Sequence, residues 1–191
     1  MFVRSLSFGV AAAALMVSGA QAADLMIPTT PQPVYQANGF SWEGLYAGIE
    51  AGGLFNGSPS AIGTLPASTT QGVIGGVVGV NFIVADPIVL GLEVQGDYVF
   101  GSAADSGLFL ALAHVGVVAT DNVLVYAAAG AGASTRSGVS TGVYALGGGV
   151  DVAVTDNVSV RGEVLGLGDF DGAADNFFES AKATVGVFYH F

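Results

Sequence analysis

The chain offers few residues for acid–base or metal chemistry. It has two histidines, His114 and His190, and no cysteine, beside fifteen acidic and four basic side chains. Without cysteine there is neither a thiolate metal site nor a disulfide framework. Two histidines on separate segments do not make a metal centre. A nucleophilic hydrolase needs a serine or similar group within hydrogen-bond reach of a base. No pairing of the segments below converges a serine, a histidine and an acid. The acids Asp169, Asp171, Asp175 and Glu179 lack the spacing of a calcium loop and read as a solvated surface loop. What remains is a set of polar residues that fall on one parity of alternating segments: Glu50, Glu93, Gln95, Asp97, His114, Tyr126, Asp151, Arg161, Glu163, Lys182 and His190. A spacing of two puts side chains on one face of a strand. The chemistry they imply is ion pairing across a sheet, with Asp151, Arg161 and Glu163 as one expected network.

Composition narrows the class of sheet. Only 10% of residues are charged, against roughly 25% in a soluble domain. Hydrophobic residues make up 52% and glycine 30 of 191, so a disordered acidic chain is excluded. A formal charge of −11 opposes nucleic-acid binding. The outside of such a chain is not expected to face water.

Eight segments alternate with a period of two: 45–55, 71–82, 90–100, 109–120, 123–134, 144–154, 158–166 and 181–191. In the third, Leu90, Leu92, Val94, Tyr98 and Phe100 oppose Gly91, Glu93, Gln95 and Asp97. Each segment is close to the 9–11 residues that a tilted strand needs to cross a bilayer. The second face is too rich in glycine and too poor in charge to solubilise a sheet. The pattern therefore predicts an all-β fold, an eight-stranded antiparallel up-and-down transmembrane β-barrel, apolar outward and polar inward. Phe55, Phe82, Tyr98, Phe100, Phe109, Tyr144, Tyr189 and Phe191 lie near the ends of the apolar faces, as an interfacial girdle would.

Two copies of Thr-Asp-Asn, at 120–122 and 155–157, separate alternating segments. Read as three-residue hairpin loops, they keep opposed residues on a common face. Asp151 then opposes Arg161, and Gly116 opposes Tyr126, making room for its ring. Residues 84–88 supply a third short turn. The connections 56–68, 101–107, 135–140 and 167–180 read as longer loops at the other end.

Residues 1–22 read as a secretory signal peptide: Arg4, an apolar run over 6–17, and Ala20-Gln21-Ala22 with small Ala20 and Ala22 at the cleavage site. Residues 23–40 carry Pro28, Pro31 and Pro33 and read as an extended segment. The barrel is assigned to 41–191. This places the chain in a Gram-negative outer membrane, with its N-terminus and short turns periplasmic.

The opening Ser41-Trp42-Glu43-Gly44-Leu45-Tyr46-Ala47-Gly48 resembles that of the small alphaproteobacterial outer-membrane barrels, the twenty-five/thirty-one-kilodalton surface-antigen or "porin" family. Leu90-Gly91-Leu92-Glu93, Thr155-Asp156-Asn157 with Arg161 and Glu163, and the ending Val187-Phe188-Tyr189-His190-Phe191 are similar to its later segments. The resemblance implies an OmpA/OmpX-like barrel with roles in envelope integrity and surface interaction. It departs where the family carries inward arginines, since Leu112 and His114 stand there. It departs again where Val164 and Gly166 replace outward tyrosines. The resemblance also implies that Tyr189 and Phe191 form a C-terminal signal for the barrel-assembly machinery.

An eight-stranded interior is filled by side chains. Tyr46, Leu112, Leu124, Tyr126 and Phe188 point inward by parity, so the lumen is expected to be largely closed. No catalytic residue, cofactor or metal is expected. The expected partners are outer-membrane lipid and lipopolysaccharide, and the assembly machinery during biogenesis; no nucleic acid is expected. The alternatives from other classes are a narrow porin-like pore and a lipid-modifying enzyme.

Overall fold

The computed structural model describes residues 40–56, 69–101, 106–136, 138–170 and 178–191. The expected signal peptide, with Ala20 and Ala22, and residues 23–39 lie outside them. The described residues form eight strands: β1 (Gly44–Asn56), β2 (Thr69–Ala85), β3 (Ile88–Phe100), β4 (Ser106–Thr120), β5 (Val123–Arg136), β6 (Val139–Ala153), β7 (Val158–Asp169) and β8 (Ser180–His190). Each pairs antiparallel with its sequence neighbours, and β1 pairs with β8 to close the barrel.

Strand formation follows from alternation. In β3 exposed and buried residues alternate without a break along all 13 positions. Glu93, Gln95 and Asp97 are buried, whereas Leu90, Leu92, Val94, Tyr98 and Phe100 are exposed. The other strands repeat this: Leu45 and Ile49 on β1, Ile74 and Val78 on β2, Val164 on β7, and Val185 and Val187 on β8 face out. The apolar surface is thus outside and the charge inside, the reverse of a water-soluble barrel. Of the expected girdle, Phe82, Tyr98, Phe100, Phe109, Tyr189 and Phe191 are exposed, and Phe55 and Tyr144 are half-buried.

Three details differ from the sequence reading. Thr120 pairs with Val123, and Val118 with Leu124, so the β4–β5 hairpin closes on Asp121-Asn122 with Ala119 left out of the pairing. A bulge of one residue restores the face parity that a two-residue turn alone would break. Residues 135–140 are not a long loop. Arg136 pairs with Val139, and Gly138 has φ of 84°, a conformation open to glycine in a tight hairpin. Phe40, assigned by sequence to the extended segment, packs its ring 4.5 Å from Trp42 and 4.6 Å from His190.

Candidate functional site

The inward face collects the polar residues into one network. Asp151 on β6 pairs with Arg161 on β7, and Arg161 clasps it through Nε at 2.7 Å and Nη2 at 2.9 Å. The third guanidinium nitrogen, Nη1, donates to Glu93 across the lumen. Glu163 is not a direct partner of Arg161, in contrast to the sequence expectation. It accepts from Tyr126 Oη at 2.6 Å and Gln95 Nε2 at 2.8 Å. Two guanidinium nitrogens are taken by the cross-strand Asp151, and the third reaches across the barrel to Glu93.

A second cation organises the neighbouring layer. Lys182 Nζ donates to Glu50 at 2.5 Å, Asp97 at 2.5 Å and Gln95 Oε1 at 2.8 Å. Gln95 links the two halves, because its Nε2 also donates to Glu93 at 2.7 Å. Both cations and all five carboxylates are buried. Each cation holds two carboxylates, the four ion pairs among the described residues. Buried charge is tolerable only with such pairing. The rings of Phe188, Tyr46 and Tyr126 surround the Arg161 guanidinium at 4.2, 5.2 and 5.2 Å, adding cation–π contact.

Glycine supplies the room for these side chains. A Cβ on Gly149 would lie 2.5 Å from Tyr126 Oη, and Gly149 is the residue paired with Tyr126. The sequence reading gave this role to Gly116, which does pair with Tyr126 on the other side. A Cβ there would instead meet the Tyr126 Cβ and a Leu124 methyl, both at 2.9 Å. Gly79 makes the same room for Tyr46, Gly75 for Asp97 and Gly91 for His114.

The partners of the two inward histidines and the burial of Trp42 were not read from the sequence. His114 Nε2 lies 2.9 Å from Asn81 Oδ1, and His190 Nε2 lies 3.0 Å from Ser159 Oγ. The two histidines are therefore in separate pairs, and among the described residues neither joins a serine–histidine–acid trio. Trp42 is buried at the mouth where the short turns lie, and its Nε1 donates to the Asp121 carbonyl at 3.2 Å. With Val89 and Leu124 it forms a cluster against which Phe40, Val118 and Ala153 pack. A single aromatic before a strand has no period of its own, so its sequence gives no sign of folding back. Around the other half of the lumen runs an apolar cluster that includes Leu108, Leu110, Leu112, Val143, Leu165 and Leu167. Tyr189 and Phe191 stand on the outer surface with ring centroids 5.1 Å apart.

Closed antiparallel pairing, an apolar exterior and an ion-paired interior define a transmembrane β-barrel. Among solved structures, the chain is similar to Neisserial surface protein A at 13% identity and a TM-score of 0.49, covering 77% of this chain and 97% of that one. It is similar to the N-terminal β-barrel domain of Pseudomonas aeruginosa OprF at 15% and 0.48, covering 76% and 97%. It is also similar to Ail, the attachment invasion locus protein of Yersinia pestis, at 14% and 0.47, covering 78% and 99%. No protein-family profile matches the chain, and no curated protein matches it in sequence.

Proposed function

We propose that the protein is an integral barrel of a Gram-negative outer membrane with a structural role in envelope integrity and surface interaction, no catalysis, and a lumen closed to steady conduction. One observation carries this reading: the large apolar side chains are exposed while Arg161, Lys182 and their carboxylates are buried. Such a surface is unfavourable in water and favourable in a bilayer. Closure is supported by the Trp42 cluster at one mouth and the cross-linked charges above it. The lipid face meets outer-membrane lipid and lipopolysaccharide, the short turns and N-terminus face the periplasm, and the assembly machinery reads Tyr189 and Phe191. Kinship with the alphaproteobacterial surface-antigen family belongs to the same proposal, resting on the Ser41–Gly48 opening and the Val187–Phe191 ending.

A narrow pore is the second reading, favoured by a cavity of about 620 Å³ at the loop end. Planar-bilayer recording separates them. Fractionation with outer membranes and heat-modifiable gel mobility are expected on either reading, and their absence overturns both. Planar-bilayer recording of the purified protein is expected to give rare, small events with cation preference, because the inward acids outnumber the bases. Stable, large, anion-selective channels would overturn the closed barrel.

A further inference from the structure

The loop-end cavity has properties that the network below it does not need. Its lining carries an apolar patch, Leu54, Leu108, Val143 and Leu167, beside the polar Asn56, Gln71, Ser106 and Ser180; Leu108, Val143 and Leu167 are almost fully buried. Hydroxyls of Ser134 and Thr141, paired across β5 and β6, line its wall. Its volume lies within the range of small-molecule sites, roughly 300–1,000 Å³. Three charged residues border it: Arg136 at the end of β5, Asp169 at the end of β7, and Glu179 just before β8. The Glu179 N–H donates to the Leu167 carbonyl at 2.9 Å, tying it to the wall.

The charge arrangement is selective. Beyond Arg4, the chain's basic residues are Arg136, Arg161 and Lys182, and the last two are bound in the buried network. Arg136 is exposed. It, Asp169 and Glu179 take no part in the ion pairs found among the described residues. An anionic head group entering the cavity meets Arg136 but also two carboxylates. A cationic one meets the carboxylates but also Arg136. A head group bearing both signs satisfies all three, and an apolar body is needed to cover the leucine and valine patch.

We propose that this cavity is a binding site for a small amphiphile with a zwitterionic head group, entering from the loop end with its apolar body on the Leu54–Leu108–Val143–Leu167 patch. The site needs a folded barrel whose loop end meets solution, and is independent of whether the lumen conducts.

The test is calorimetric titration of the protein in phosphatidylglycerol nanodiscs, with empty discs subtracted. The probes are octylphosphocholine, octyl sulfate and octyltrimethylammonium. Octylphosphocholine is expected to bind saturably, one per barrel, at least tenfold more tightly than either singly charged probe. Arg136→Ala is expected to reduce that preference over octyltrimethylammonium, and Asp169→Asn with Glu179→Gln the preference over octyl sulfate. Ser134→Trp, which narrows the cavity, should weaken saturable binding at least tenfold while heat-modifiable mobility is kept. Thr141→Phe serves the same purpose if that variant fails to fold. Repeating the titration in phosphatidylcholine discs distinguishes the source. Weakened binding identifies a bilayer lipid as the occupant, and unchanged binding identifies a free solute; both support the site. Unsaturable uptake, equal binding of the three probes, or unchanged binding in both cavity-narrowing variants would overturn it.

Discussion

Replacing Arg161 with methionine removes one cation from between two carboxylates while keeping most of the volume that packs against Phe188, Tyr46 and Tyr126. Asp151 and Glu93 are 0% and 3% exposed, so neither can exchange its lost partner for water. Breaking a buried pair in this way costs about 3–5 kcal/mol. Asp151→Asn is a milder change, because Arg161 keeps Glu93 and a neutral acceptor remains beside it. Its expected cost is about 1–3 kcal/mol, the range for a buried donor left partly unsatisfied. The triple variant Glu93→Gln, Asp151→Asn, Arg161→Met removes all three charges and is expected to recover much of the loss, since replacing a whole ion network is often near neutral. The assay is reversible urea unfolding in lipid vesicles, read by gel mobility and tyrosine–tryptophan emission. Equal destabilisation by Arg161→Met and Asp151→Asn, or a triple variant no more stable than Arg161→Met, would refute the argument that one guanidinium bridges two acids.

Three further outcomes follow from the same geometry. Val94→Arg, on the outer face of β3, should lose about 2–4 kcal/mol of membrane stability if it lies at the bilayer midplane, seen as loss of the heat-modifiable band, whereas Val94→Leu should assemble normally. Gly149→Ala should destabilise by about 1–3 kcal/mol through overpacking on Tyr126, while Gly162→Ala, whose Cβ meets nothing within 4 Å, should be neutral or better in the same unfolding assay. Trp42 is the chain's one tryptophan, so its emission should shift to the blue and resist acrylamide quenching on folding; a quenchable, red emission in the folded barrel would show that the mouth is not covered.

The architecture was legible where one period governs a whole segment. In β3 each residue's face can be read from its neighbours, and the structure keeps the alternation over all 13 positions. The Asp151–Arg161 register followed from parity across the Thr155–Asn157 turn, because a slip of one residue would expose every buried group. Contacts across the lumen were not legible. Which acid Arg161 reaches beyond Asp151 depends on barrel tilt and side-chain length, and Glu93 lies 68 residues away in sequence. The same holds for Lys182, whose partners Glu50 and Asp97 come from two other strands. The Ala119 bulge was missed because a two-residue turn with a bulge and a three-residue loop give the same faces. The Asn81–His114 pair was not legible because parity puts both side chains inward but does not say which inward groups meet across strands.

The inside-out polarity of the barrel can be tested residue by residue. The chain has no cysteine, so single cysteines placed along β3 from Leu90 to Asp97 can each carry a spin label in the reconstituted protein. Collision with oxygen, which concentrates in the bilayer, and with a water-soluble nickel chelate is then measured at every position. An oscillation of period two is expected, with high oxygen access at positions 90, 92 and 94 and low access to both reagents at 93, 95 and 97. High nickel access at 90, 92 and 94, or oxygen access without alternation, would contradict it.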